Sequence, residues 1–448
     1  AVKRILTLLF RSHRINRYAY SDAPDLTKHA QVARRAACDG MVLLKNDNRT
    51  LPLNANIKKP VLFGSGSYNF IAGGTGSGFV HTAYSVSLME GMRQAGFSED
   101  KELCKLYLPF LDSERIRIDN ERKKYANPPA FTPAEMPLKK KIIDKKSETE
   151  DIAIITIGRN TGEFFDWKPV KGEYLLSDAE QELISHVSDA FHAKGKKVVV
   201  VLNIGNVIET ASWQDKVDAI LVAWLGGQEG GNSVVDILTG KVSPSGKLAM
   251  TFPICYEDIP FAGEFPGLKE NEPQTVSYKE GIYVGYRYFD SFGVKPAFAF
   301  GHGLSYTTFE YSDMELSHPE FDSELFVSVD IKNTGTYAGR EVVQLYVGAP
   351  DQQLDKPARE LKGFTKTRLL QPGEKQRVTF RLTPRQLASF RTALSAWVAD
   401  KGKYVVELAS SSTDIRQKAT FSLPEEMIVE KVNDVLKPRH TFSDMKRN

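Results

Sequence analysis

Four short runs, apolar throughout but for Thr156, constrain this chain more than anything else in it: 61–63 (VLF), 152–157 (IAIITI), 198–202 (VVVVL) and 219–223 (AILVA). A strand that alternates apolar and polar residues covers one face of a core, whereas a strand apolar throughout has to be buried on both faces. A mainly parallel sheet sandwiched between helices meets that condition. Helical stretches at 178–194 and 231–238 fit as crossovers, the first opening with Ser177 as N-cap and Glu180 three residues on. Upstream, a helical pattern covers 28–39, residues 41–44 read as a short strand, and Lys45, Asn46 and Asp47 read as the turn after it. Residues 30–255 are therefore expected to form an α/β sandwich domain.

Beyond Pro253 the texture changes. Residues 256–315 are rich in aromatics, among them Tyr283, Tyr286, Tyr288, Phe289 and Phe300, with little periodicity. So many aromatics are not left in water, so the segment reads as an ordered connector packed on its neighbours. Over 316–423 strands resume, now alternating, at 325–331, 341–347, 376–382 and 403–408, with turns at Asn333-Thr334-Gly335 and Pro372-Gly373. Spaced alternating strands without helices predict an antiparallel β-sandwich. The tail, 424–448, is charged and helix-tolerant and is expected to wrap back on another domain.

The chain of 448 residues is long enough for more than one core. Its net charge of +3 is the small difference between 59 basic and 56 acidic side chains, with no basic block interleaved with aromatics, so nucleic acid is not an expected partner. No apolar run reaches the length of a membrane span. Val2, Ile5, Leu6, Leu9 and Phe10 fall at helical spacing, on an amphipathic helix whose apolar face needs a partner. Arg11, His13 and Arg14 interrupt that stretch and no cleavage site follows, so it reads as a helix end from a preceding domain and not as a signal peptide. Cys38, Cys104 and Cys255 have neither disulfide-framework nor zinc spacing and are expected to be free thiols, mostly buried. The compartment stays open between cytoplasmic and exported. The histidines are scattered without metal spacing.

Three loops could carry chemistry. The run at 152–157 ends at Gly158, and Arg159-Asn160-Thr161-Gly162-Glu163-Phe164-Phe165-Asp166-Trp167 follows. Ligands in open α/β sheets sit at the carboxyl ends of strands. A carboxylate between Gly and two Phe residues would be partly desolvated, which raises a carboxyl pKa as a general acid requires; the aromatics could stack on sugar rings. A solvated surface carboxylate is the alternative. Gly73-Gly74-Thr75-Gly76-Ser77-Gly78 permits positive φ and close backbone approach, either as a tight turn or against a ligand. It lacks the Lys-Ser or Lys-Thr pair of a phosphate loop. Gly226-Gly227-Gln228-Glu229-Gly230-Gly231 stands at a strand-to-helix junction, where glycines let the two elements pack closely.

Together these pieces resemble family 3 glycoside hydrolases, most closely bacterial β-glucosidases whose α/β sandwich is followed by a fibronectin-III-like domain. The matching segments are 36–46 (AACDGMVLLKN), 73–78, 226–230, 244–248 (PSGKL), 280–288 (EGIYVGYRY) and 300–309 (FGHGLSYTTF), with 333–346 and 357–364 in the second domain. The resemblance implies an eightfold β/α barrel before the sandwich, of which residues 1–29 would be the last helix and a linker. It also implies a retaining mechanism, in which an Asp on the barrel attacks the anomeric carbon while a Glu from a sandwich-domain loop acts as acid and then base. The family pattern Gly-Glu-x-x-Asp-x-Lys-Pro falls on Gly162, Glu163, Asp166, Lys168 and Pro169, making Glu163 the implied acid/base. Phe164, Phe165, Asp166, Trp167, Gly76 and Ser77 are the implied substrate-binding residues; Trp167 departs from the Arg that relatives often carry. The Asp nucleophile has no matching motif among these residues. A retaining mechanism needs two carboxylates flanking one bond, so activity is expected only with the barrel, on the same polypeptide or a separate chain. The implied function is part of an exo-acting β-glucosidase on β-glucosides or oligosaccharides, without metal or cofactor. A β-xylosidase or another family 3 β-glycosidase, and a non-catalytic carbohydrate-binding scaffold, are the alternatives.

Overall fold

The computed structural model describes residues 1–13, 15, 17–126, 128–163, 167–264, 278–435 and 443–447. The apolar runs form strands β1 (Val42–Asn46), β2 (Pro60–Phe63), β3 (Ile152–Arg159), β4 (Lys197–Ile204) and β5 (Ala219–Val222) of one sheet, in the order β1-β5-β4-β3-β2. Strands β2 to β5 run parallel and β1 lies antiparallel on the β5 edge, so the sheet is mainly parallel as expected. Lys45 and Asn46 belong to β1, not to the turn, because they pair with Ile220 and Ala219. The chain turns at Asp47–Arg49, stapled by the Asn46 amide, which donates to Leu51 O at 2.8 Å and accepts Leu51 N–H at 2.9 Å.

Residues 152–157 and 198–202 are wholly buried, which requires cover on both faces. The helix Gly230–Leu238 touches both Leu26–Gly40 and Leu88–Gln94, and Lys140–Thr149 packs on Asp178–His192. The last begins with the expected capping box between Ser177 and Glu180. Phe191 on it meets Phe63 of β2 edge to face at 6.1 Å inside the core.

The second domain is an antiparallel sandwich. Its strands are β6 (Phe309–Leu316), β7 (Leu325–Asn333), β8 (Val342–Gly348), β9 (Glu360–Lys366), β10 (Lys375–Leu382), β11 (Ser389–Arg391), β12 (Ala396–Ala399), β13 (Gly402–Ala409), β14 (Ile415–Leu423) and β15 (Met427–Lys431). They form sheets β10-β7-β6, β14-β13-β8-β9 and the small β11-β12-β15. Val327, Val329, Leu345, Val347, Val406 and Leu408 fill the space between the two larger sheets. The tail differs from the helix-tolerant reading: Met427 and Val429 pack on this core and the backbone adds to β12 as a strand. Further on, Met445 N–H donates to Lys279 O at 2.7 Å and so reaches the connector.

The connector is held by its aromatics. Tyr283 is fully buried, and Tyr286 stacks on Phe300 at 4.6 Å and meets Tyr346 of β8 edge-on at 5.8 Å. Between the domains, Lys247 pairs with Glu341 at 3.0 Å, and Lys366 donates to Asp39 O and Ser245 Oγ, each at 3.0 Å. The helix Val2–Arg11 has no buried residue, and Val2, Leu8 and Phe10 are 70%, 73% and 68% exposed. All three cysteines are free thiols, but only Cys38 is buried; Cys104 is half-buried and Cys255 lies exposed beside the surface carboxylate Asp258, which corrects the expectation of mostly buried thiols. Among the described residues no helix is long and apolar enough to cross a membrane, and no group of three His, Cys, Asp or Glu could hold a metal ion.

Candidate active site

Strands β2 to β5 present their carboxyl ends along one edge of the sheet, where the three glycine-bearing loops converge. The loop after β2 is stitched across the ends of its neighbours by Asn203, the penultimate residue of β4 and completely buried. Its amide oxygen accepts Ile71 N–H at 2.6 Å, and its nitrogen donates to Ile71 O at 3.0 Å and Trp224 O at 2.6 Å. Gly227 N–H, from the loop after β5, donates to Ala72 O at 2.9 Å. The buried Asn203 amide and its half-buried backbone partners are thereby satisfied, which removes a desolvation cost and fixes the path of the loop. The Gly226–Gly231 run serves close packing: a Cβ on Gly231 would fall 2.2 Å from Ser87 O.

The loop after β2 then meets the loop after β3. Thr75 N–H donates to Thr161 O at 2.9 Å, which sets the two backbones side by side. Ser77 Oγ hydrogen-bonds Glu163 Oε1. Gly76 has φ +67°, a conformation that L side chains rarely adopt, and a Cβ on it would stand 2.9 Å from Glu163 Oε2 and 3.2 Å from Glu163 Cβ. Glycine here allows the backbone to lie directly against the carboxylate. The structure therefore brings Gly76, Ser77 and Glu163 together.

Glu163 itself is exposed, which differs from the partial desolvation expected from its neighbours in sequence: among the described residues no element covers it. Phe164, Phe165 and Asp166 lie outside the described residues. Trp167 is half-buried and packs against the apolar core of the α/β domain.

Both ends of the Glu163 loop are anchored. Asn160 N–H donates to Thr132 Oγ1 at 2.8 Å. Arg159, only 3% exposed, makes a two-point ion pair with Glu180 at 2.5 and 2.6 Å while its Nε donates to Glu173 O at 3.0 Å. Below the loop, Glu135 is buried, accepting Ser65 N–H at 2.8 Å through Oε2 while Oε1 has no hydrogen-bond partner among the described residues. Burial pushes its pKa up to about 8, with the Glu180 charge adding to the rise and backbone N–H groups of Ser65 and Met136 opposing it. Asn203 and Thr132 are supporting residues outside the quoted loops, and Thr75, Thr161 and Arg159 are supporting residues within them that had no role assigned from sequence. Asn203 carries a usable signal, since a lone amide ends an otherwise aliphatic strand.

Residues 41–286 match the glycosyl hydrolase family 3 C-terminal domain, and residues 341–412 match the fibronectin type III-like domain. Beta-glucosidase A of Butyrivibrio fibrisolvens is 36% identical over 456 residues, covering 92% of this chain and 53% of that protein. Thermostable beta-glucosidase B of Acetivibrio thermocellus is 34% identical over 457 residues, covering 99% of this chain and 53% of that protein. The solved structure of beta-glucosidase 3B from Thermotoga neapolitana in complex with glucose aligns with TM-score 0.86 and 47% identity, over 94% of this chain and 58% of that chain. The chain spans about half the length of the curated relatives it matches.

Proposed function

The chain belongs to glycosyl hydrolase family 3, and from that premise we propose that it is the part of a retaining, exo-acting β-glucosidase that carries the acid/base, Glu163. The observation that supports this reading is the meeting of Glu163 with Gly76 and Ser77 at the carboxyl edge of the parallel sheet. An acid/base that must reach a bond held on another domain has to stand at the surface of its own, and Glu163 is exposed.

In the proposed reaction an Asp from a barrel domain attacks the anomeric carbon of a terminal β-linked glucose. As the glycosidic bond breaks, Glu163 passes its proton to the departing oxygen. The Glu163 carboxylate then takes a proton from water, whose oxygen adds to the anomeric carbon and releases the nucleophile. Ser77 orients Glu163 through Oε1, so Oε2 is the oxygen to face the leaving group. Phe164, Phe165, Asp166 and Trp167 complete the proposed sugar contacts together with Gly76 and Ser77. The two carboxylates of such a site stand about 5 Å apart, which requires the barrel to dock against this edge.

The test is hydrolysis of an aryl β-glucoside by the chain alone and with its barrel domain, each also with Glu163→Ala. Activity confined to the barrel-containing enzyme, cut about a hundredfold or more by Glu163→Ala on cellobiose-like substrates, is expected. Added azide should then yield a β-glycosyl azide. Turnover by the chain alone, or ordinary activity of the Glu163→Ala enzyme on cellobiose-like substrates, would overturn the assignment.

A further inference from the structure

The loop bearing Glu163 leaves the sheet at Arg159 and returns at Glu173, and one buried guanidinium spans that neck. Arg159 Nη1 donates to Gly158 O at 2.7 Å on the outgoing limb, and its Nε donates to Glu173 O at 3.0 Å on the returning one. Nη2 reaches Leu175 O at 3.5 Å, and both terminal nitrogens are held by Glu180. The returning limb is a tight unit. Lys168 N–H donates to Glu173 Oε2 at 2.7 Å, Tyr174 N–H to Lys168 O at 3.3 Å and Gly172 N–H to Leu175 O at 2.9 Å. Whatever fixes Glu173 therefore fixes Lys168, five residues beyond Glu163.

We infer that Arg159 is a positioning residue, which sets the reach of Glu163 by tying the two limbs of its loop together; this rests on the acid/base reading of Glu163. A buried ion pair is weak evidence for stability, since well-packed apolar residues often replace one at no cost. Here the guanidinium spends three of its donors on backbone carbonyls at the neck, which only a planar, multi-donor head can do. Lysine, a single point charge, would keep the pairing with Glu180 but lose the span. Glu180 orients the guanidinium and at the same time serves the capping box through Ser177 N–H at 2.7 Å.

Two variants separate positioning from folding. Arg159→Lys retains a buried cation. Arg159→Met with Glu180→Gln leaves no buried charge, and glutamine preserves the capping box. In the chain itself, hydrogen exchange over 160–175 should quicken roughly tenfold while the amides of β3 and β4 and the melting temperature stay near those of the parent. In the barrel-containing enzyme, kcat should fall on the order of a hundredfold for glucosides with poor leaving groups, much less for activated aryl glucosides, with KM little changed. Unchanged exchange in the loop and unchanged leaving-group dependence would overturn the inference. So would a uniform loss across leaving groups that tracks a lowered melting temperature, the mark of a merely structural role. Failure of the acid/base reading is distinguished by Glu163→Ala, which would then leave hydrolysis intact.

Discussion

Ser77 Oγ donates a hydrogen bond to Glu163 Oε1 across 86 positions of sequence, and it is the one side-chain link between the loop after β2 and the carboxylate of the loop after β3 among the described residues. Removing it frees one carboxylate oxygen while leaving the backbone contact of Thr75 with Thr161 in place. Ser77→Ala in the barrel-containing enzyme should lower kcat/KM roughly fivefold, the worth of about 1 kcal/mol of hydrogen bond. The loss should grow as the leaving group worsens. Equal kinetics for variant and parent would mean that the contact does not orient Glu163 for catalysis.

Gly76→Ala tests the close approach from the other side. The position combines φ +67° with a Cβ that would overlap Glu163, so both backbone and carboxylate must shift. The strain is about 1 kcal/mol or a little more in stability. Displacement of the carboxylate should cost activity on the order of a hundredfold. Comparing thermal melts with kinetics separates the two: a variant that melts like the parent and turns over like it would refute the contact.

Asn203 holds three backbone groups with one buried amide. Asn203→Ala strands them away from water, and the fold should lose about 3 kcal/mol. Urea unfolding measures the loss, and limited proteolysis should find new cleavage within residues 72–86. A loss well under 1 kcal/mol would show that solvent readily replaces the amide.

Glu135 makes stability depend on pH. Its folded pKa of about 8 lies above its ordinary value of 4.5 because burial penalises the charge. The folded state therefore holds a proton that the unfolded chain has released at neutral pH. Its contribution is fully present below about pH 4.5 and is lost as pH rises, until Glu135 itself ionises near pH 8. The span amounts to a few kcal/mol. Urea midpoints at pH 5.5, 7 and 8.5 should fall more steeply in the parent than in Glu135→Gln, which stays neutral throughout. Parallel slopes would contradict the buried neutral acid.

The parallel sheet was legible because strands covered on both faces leave an almost unbroken apolar record, and β2 to β5 fall within three residues of the runs that announce them. The helix Lys101–Arg122 leaves almost none: only Leu103, Tyr107 and Glu114 are buried, so its apolar stripe is too thin to stand out. The place of Glu163 followed from its strand end and from family resemblance, but its exposure did not, since neighbours in sequence say little about what covers a projecting loop. Glu180 could be read as a cap from its spacing to Ser177. Its second partner, Arg159, lies 21 positions earlier, and pairing at that range leaves no periodic signature. Met427–Lys431 was misread because charge at the surface of an edge strand looks the same as charge on a helix.

The double duty of Glu180 ties the fate of two elements. Fraying of the first turn of Asp178–His192 on warming would loosen Ser177 and Glu180 together, and with them the grip on Arg159. The working temperature of the barrel-containing enzyme would then be capped by a single helical turn well before the sheet melts. On warming, the barrel-containing enzyme should lose turnover while its circular dichroism is still that of the native fold, and recover on cooling.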